Sequence, residues 1–483
     1  MSISTALANA FSGLTANARL AEIASDNIAN AQVDGYMRRQ GQLGAQIAGT
    51  QGRGVRVIGV ERLVDQGLVQ ENRLASAGLS AGKAGLKFLK QIESAFGLPG
   101  ESGALTSRLA AFESALVEAA ARPESSARLT QVAERAGALA TGLRDASDQI
   151  AKARSRADTD IVGAVQRLNT ALKGIRTLNK TIGAMAARGE DFTSLLDERQ
   201  RMVDQVADLV PLREVAGDHH QIALYTTTGQ TLLDSRAATF GFSPTASVTP
   251  EKTLAGGGLS GLTIDGQPLS AGPDGGQLGE GGLSALFELR DGLAVSAQAR
   301  LDALARDLVT RLSGSGIDPT LASGEAGLFV DSGTPSDLAA PGLAGRIALS
   351  DRVDPSRGGE VWRLRDGLNA TTPGTLANPS LLQSYRTALN SVTTTGAGGV
   401  PATGSFATLL SETQSQIATD RLAAESANAF AAARSDTLAT ELQRMGVDTD
   451  QEMQDLLQIE KSYAANARVI QTVDDMLRTL LEI

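Results

Sequence analysis

Residues 3–39 read ISTALANAFSGLTANARLAEIASDNIANAQVDGYMRR. Ile3, Leu7, Ala10, Leu14, Asn17, Ala21, Ala24 and Ile28 recur at alternating spacings of four and three. That heptad predicts one amphipathic helix with a narrow seam, and Asn17 is the lone polar residue of the kind that fixes register. The seam is mostly small side chains, so whatever packs on it approaches closely. The helix then stops at a specific string. Asn27 and Asn30 are residues whose amides bond nearby backbone as a helix ends, and Gly35 frees the chain to turn. Tyr36 and Arg38 follow at the exit, where they are expected to meet a neighbour. Ile28 and Ala29 complete the motif.

The other end of the chain mirrors this. Leu456, Leu457, Tyr463, Ala467, Ile470, Val473, Leu477, Leu480 and Leu481, with Met453 ahead of them, form a stripe that runs to the last turn. Both termini therefore read as helices built to pack, with each other as the first candidates. Residues 445–483 carry eight acids against three bases, whereas residues 1–40 balance. Part of that acidic face, including Asp474 and Asp475, is expected to meet basic groups on a neighbouring copy.

Between the termini the period is helical over 86–121 and 127–157, broken at Pro123. A strong stripe follows at Ile161, Val165, Leu168, Leu172, Ile175 and Ile182, with Asn179 inside it. A further helix is expected at 191–209, before Pro211. From about 213 the pattern alternates: QIALYTTTGQTLLD (221–234) reads as strand, turn at Gly229, strand. Eleven glycines fall within 255–282, and we read 213–283 as one inserted β domain. Residues 314–375 are loop or β excursions, with GRIALS and EVWRLR as their short apolar runs. Helix returns over 284–313 and 376–444, interrupted by a Gly/Thr/Pro-rich break at 393–404. The expected fold is mainly α with β insertions. In outline it is an elongated multi-domain rod, with terminal helices 1–40 and 445–483 pairing as a coiled coil. The remaining helices, 41–212, 284–313 and 376–444, form the rod domain.

Composition narrows the function. At 483 residues the chain exceeds a single core. Aromatics are 3%, so the helices are expected to pack through Ala and Leu. A net charge of −10 opposes nucleic-acid binding. Cysteine is absent, which suits a chain threaded unfolded through a channel. MSISTALANAFSGLTANARLAEIA does not read as a signal peptide, so export without a cleaved signal is expected.

Enzyme-like strings do not survive inspection. GGGLSG (256–261) lacks the helix that a dinucleotide fingerprint must open. GLSAG (78–82) places Ser80 as a hydrolase nucleophile only if a strand-to-helix turn carries it. AGLSAGKA nears a phosphate loop, but Ala84 stands where Ser or Thr must reach magnesium. His219 and His220 are adjacent, so on a strand they point oppositely, and they read as an exposed strand edge. Asp197-Glu198 and Asp474-Asp475 read as solvated faces. No catalytic residue, metal site or cofactor is assigned.

TALANAFSGLTA and SDNIANAQVDGYMRRQ resemble the hallmark of the flagellar axial family, the rod, hook and hook-associated proteins. The closing MGVDTDQEMQDLLQIEKSYAANARVIQTVDDMLRTLLEI is similar to that family's last helix. Interior segments TLNKTIG, DFTSLLDERQRMVDQVADLV and GGLSALFELRDGLAVSAQARLDALARDLV resemble the hook-associated branch at the junction of hook and filament. Gln200 departs from the usual Asp, and Val33-Asp34 from the usual Asn-Thr. The resemblance implies a tubular ring of identical subunits with the terminal helices innermost, outside the cell and without membrane insertion. It implies, as neighbours, the hook protein and a second junction protein. It also implies a cytoplasmic chaperone on the C-terminal helix and delivery by the flagellar type III export apparatus. The alternatives are a hook or rod protein of the same family, and a secreted serine hydrolase using Ser80.

Overall fold

A computed structural model describes residues 3–33, 35–48, 51–98, 100–272, 275–333, 336–394, 399 and 403–481. Helix α1 (Ile3–Asn30) leads into a hairpin of β1 (Arg39–Ala48) and β2 (Gln51–Arg62), then α2 (Gln66–Phe96) and α3 (Leu105–Ala121). The longest helix, α4 (Ser126–Arg188), runs 63 residues. It starts beyond Pro123 and stops at Gly189, whose φ of 71° is the left-handed conformation that ends helices. After α5 (Thr193–Leu209) come β3 (Leu212–Ala216), β4 (Ile222–Thr226) and β5 (Thr231–Leu233). A second set follows: β6 (Phe240–Gly241), β7 (Leu262–Ile264) and β8 (Gln267–Leu269). Then α6 (Gly282–Glu288) passes through a π turn at 289–293 into α7 (Ala294–Arg311). The remainder comprises β9 (Phe329–Asp331), α8 (Leu343–Arg346), β10 (Ile347–Leu349), α9 (Arg363–Asp366), α10 (Ser380–Asn390), strand pair β11 (Thr393–Thr394) and β12 (Thr403–Gly404), α11 (Phe406–Arg444) and α12 (Thr449–Leu481). The fold is mainly helical with small antiparallel sheets, as expected, and α1 pairs with α12. Among the described residues no helix is long and apolar enough to cross a membrane.

The chain divides into two compact units. The first holds residues 1–79, 167–239 and 431–483, and the second 80–166 and 240–430. In the second, one core takes Phe88, Phe96, Phe112, Phe329, Tyr385 and Phe406 together with the Ala/Leu stripe of α4 from Leu129 to Ala153. Alanine at half of those stripe positions lets neighbouring helices close on α4. The scarce aromatics are gathered there, Phe112 against Phe329 edge to face at 6.0 Å. Elsewhere in this unit a fully buried Arg290 sits on the π turn. It donates to Asp158 at 2.6 Å, to Asp291, and to the Ser260 carbonyl at 2.9 Å. Arg154 beside it donates to the carbonyls of Arg290, Thr249 and Lys252. These two cations fasten the glycine-rich 245–261 loop to α4 and α7.

The predicted stripe Ile161–Ile182 is buried as expected, Ile161 and Val165 in the second unit and Leu168 to Ile182 in the first. Asn179 donates to the Ile222 carbonyl at 2.8 Å and accepts from Arg199 at 2.9 Å, which fastens α4 to β4.

Four expectations are corrected. Residues 39–62, placed in the helical 41–212 segment, form the β1–β2 hairpin. Six glycines in 41–59 dilute the short alternation of Val55 and Val57 that signals it. The stretch 213–283 holds two separate three-stranded sheets, β3-β4-β5 in the first unit and β6-β7-β8 in the second. GRIALS supplies β10, but EVWRLR turns into the short helix α9. His219 and His220 lie on the turn between β3 and β4, both with positive φ, and not on a strand edge. They are exposed, and the ring of His220 lies 4.9 Å from that of Phe192. The break at 393–404 lies partly outside the described residues.

Candidate functional site

The exit of α1 is a densely bonded polar site of the first unit. Asn27 is 1% exposed. Its amide nitrogen donates to the Arg39 carbonyl at 2.8 Å and to Glu452 of α12 at 3.0 Å. Its amide oxygen accepts from the Arg39 backbone N–H at 3.0 Å and from the Tyr36 hydroxyl at 2.9 Å. Both donors and both lone pairs of the amide are thus used. Asn30 plays the local part expected of it and donates to the Asp26 carbonyl. Ile28 is half-buried and Ala29 exposed.

The turn after α1 needs glycine at 35, where φ is 77° and an added Cβ would lie 2.7 Å from Cγ of Arg201. Asp34 lies outside the described residues. Tyr36 and Arg38, expected to meet a neighbour, are engaged within the chain. The Tyr36 phenol is pushed up to about 12 by its burial, and Arg39 lies 4.8 Å over its ring. Arg38 donates from Nε to Glu452 at 2.5 Å and reaches Asp455 at 3.3 Å. Glu452 is almost wholly buried, so its charge depends on Arg38 and on the Asn27 amide.

A second clamp lies one strand away. Asp197 of α5 sits between Arg39 and Arg62, each at 2.8 Å, and is itself buried. Arg62 also donates to Gln200 at 2.8 Å, so the departure at position 200 still finds a partner. Burial lowers the Arg62 guanidinium from its usual value, and Asp197 opposes that shift. The two clamps tie the base of the β1–β2 hairpin to α5 on one side and to α12 on the other. Reading Asp197 as a solvated face is therefore overturned. Its neighbour Glu198 is half-buried and pairs with Arg201.

Helices α1 and α12 meet through small groups. An added Cβ at Gly13 would lie 2.6 Å from the Asn466 amide nitrogen. The α1 face buried within the chain comprises Ala10, Gly13, Ala16, Ile23, Ala24 and Asn27. Of the predicted stripe, Ala10 and Ala24 lie in that face. Ile3, Leu14, Ala21 and Ile28 are half-buried, and Leu7 is exposed. In α12 only Val473 of the predicted stripe is buried. Leu456, Ala467 and Ile470 are half-buried, while Leu457, Tyr463, Leu477 and Leu481 are exposed. The side chain of Leu480 lies outside the described residues. The hairpin in turn lies against α1 through glycines. A Cβ at Gly41 would meet Leu20, one at Gly54 would meet Ser12 Oγ at 1.8 Å, and the Val55 N–H donates to that hydroxyl.

Sequence reasoning reached Asn27, Asn30, Gly35, Tyr36 and Arg38 but missed Glu452, Asp455, Asp197, Arg62, Gly13 and Asn466. Glu452 and Asp455 were signalled only by an acidic cluster opening the last helix. Asp474 pairs with Arg478 on its own helix. Ser80 lies inside α2, with no strand-to-helix turn to present it. Among the described residues no group of three or more His, Asp or Glu side chains is placed to hold a metal ion.

Residues 89–315 match the family described as flagellar hook-associated protein FlgK helical domain, and residues 440–483 match the flagellar basal body rod FlgEFG protein C-terminal family. The chain is similar to flagellar hook-associated protein 1 of Bacillus subtilis (strain 168). They are 24% identical over 510 residues, spanning 94% of this chain and 93% of the relative. The protein of the same name from Escherichia coli (strain K12) is 24% identical over 52% of this chain and 47% of its own length. The one from Salmonella typhimurium is 25% identical over 49% of this chain and 44% of its own length. Among solved structures, the flagellar hook junction protein FlgK from Burkholderia pseudomallei aligns with 54% of this chain and 46% of its own at a TM-score of 0.45 and 18% identity.

Proposed function

We propose that this chain, a member of the flagellar hook-associated protein 1 family, is the extracellular structural protein that joins the flagellar hook to the filament. One observation carries the reading: a hook-associated helical domain over 89–315 and an axial-type C-terminal helix over 440–483 occur in one chain. The pairing of that last helix with α1 supports it. The chain works as a building block.

In this reading the paired termini form the inner layer of a ring of identical subunits. The hook protein lies on one side and a second junction protein on the other. Leu7, Phe11, Leu457, Tyr463, Leu477 and Leu481 remain exposed in the single chain. Large apolar groups left on two paired helices are what neighbouring copies would cover. The exit motif sets where the hairpin leaves that layer. Delivery by the type III export apparatus, with a chaperone on the C-terminal helix, fits a cysteine-free chain whose termini bury little until they assemble.

A hook or rod protein is the sibling reading, since the C-terminal match is shared across rod proteins. The helical 89–315 domain favours the junction. Electron microscopy of cells lacking this gene tests it. Bare hooks with filament subunits shed into the medium are expected, and filaments still attached to hooks would sink the reading.

A further inference from the structure

We infer that the distal half of the β1–β2 hairpin is a contact arm, and that its partner is the outward face of α12 in a second copy of this chain. The inference rests on the junction reading and names the surfaces by which copies meet. Both surfaces are uncovered in the single chain. Along the hairpin Leu43 is 51% exposed and Ile47 71%. Arg53 and Arg56 are exposed beside them, and no carboxylate among the described residues pairs with either. An isolated two-stranded ribbon is marginal in water. This one packs on α1 through Gly41 and Gly54, and Ile47, Arg53 and Arg56 stay exposed beyond that contact.

On α12, Asp450, Met453, Leu457 and Glu460 recur at spacings of three and four, so they share one stripe. That stripe adjoins, on its exposed flank, the face of Glu452, Leu456, Ile459 and Val473, the more buried side of the helix. All four of its residues are exposed, and the Asp450 and Glu460 carboxylates have no cation within the described residues. With Ile58 also 56% exposed beside Leu43, hairpin and stripe match in kind: exposed apolar groups with two unpaired cations, against exposed apolar groups with two unpaired acids. Within one chain both elements pack on α1, so each is already spent on its inner side and only a second copy supplies the other.

The absence of cysteine makes the test direct. Full-length Ile47→Cys and Leu457→Cys chains are purified, mixed and mildly oxidised with copper–phenanthroline, and the disulfide-linked mixed dimer is quantified. Phe430→Cys replaces Leu457→Cys as the control, since Phe430 is more exposed at 75% and random collision would favour it. We expect the mixed dimer well above the control, about tenfold less with Arg53→Glu and Arg56→Glu, and recovery when Asp450→Arg and Glu460→Arg are placed in the partner. Met453→Cys serves as a second position. A yield no higher than the control at both positions, or indifference to charge reversal, overturns the contact. Expressing the charge-reversed chain in cells that lack the gene separates the two failures. Normal filaments there, with no mixed dimer, would overturn the contact and leave the junction reading standing. Filaments persisting in cells with no copy of the gene would overturn the junction reading itself.

Discussion

At the scale of single residues, Asn27 is the most constrained group of the exit. Its amide has no spare donor or lone pair. Asn27→Ala is expected to cost about 3 kcal/mol by stranding the Arg39 backbone and part of Glu452, read as a lower denaturation midpoint with unchanged slope. Asn30→Ala, which removes one exposed bond, should cost under about 0.5 kcal/mol. Tyr36 gives a pH signature. Its folded value lies near 12 against 10 for the free phenol, so the unfolded chain loses this proton first. Its contribution to stability is complete below pH 10 and is lost as pH rises through 12. In the folded protein a tyrosinate absorbance step near pH 12 is expected, and Tyr36→Phe should remove it. The asparagines were legible in the sequence as helix-ending residues. Their division of labour was not, because the decisive partner of Asn27 lies 425 positions away.

At the scale of elements, long helices were read well because a period sustained over many turns outweighs any single residue. Stripe 161–182 and the breaks at Pro123 and Pro211 fell where expected. The hairpin was missed for a physical reason. Its strand identity comes from packing on α1, and the glycines that permit that packing erase the side-chain alternation a strand is recognised by. Those glycines are not equivalent. Gly54, at φ 98° and against Ser12, has no room for a side chain, whereas a Cβ on Gly59 meets nothing within 4 Å. Gly54→Ala is expected to cost about 2 kcal/mol and to raise amide exchange along β1 and β2, while Gly59→Ala should be neutral or slightly stabilising.

At the scale of the whole molecule, the two units should report separately on unfolding. Asp158→Ala leaves Arg290 fully buried with one partner fewer, and about 3 kcal/mol should be lost from the unit that contains α7. Calorimetry of wild type and variant checks this: one transition moves and the other stays. Which units the chain makes was only half legible, since the 213–283 stretch looked continuous in composition yet is divided between them. The exit joint has a further consequence, in time instead of space. Asn27 and Arg38 are made long before the carboxylate they close upon, which is encoded 425 and 414 positions later. Until α12 exists, the first helix of the chain has a prepared socket and nothing to seat in it. A chain cut short before residue 449 retains the Asp197 clamp but never completes the joint, so closure of this one site reports that α12 has been made.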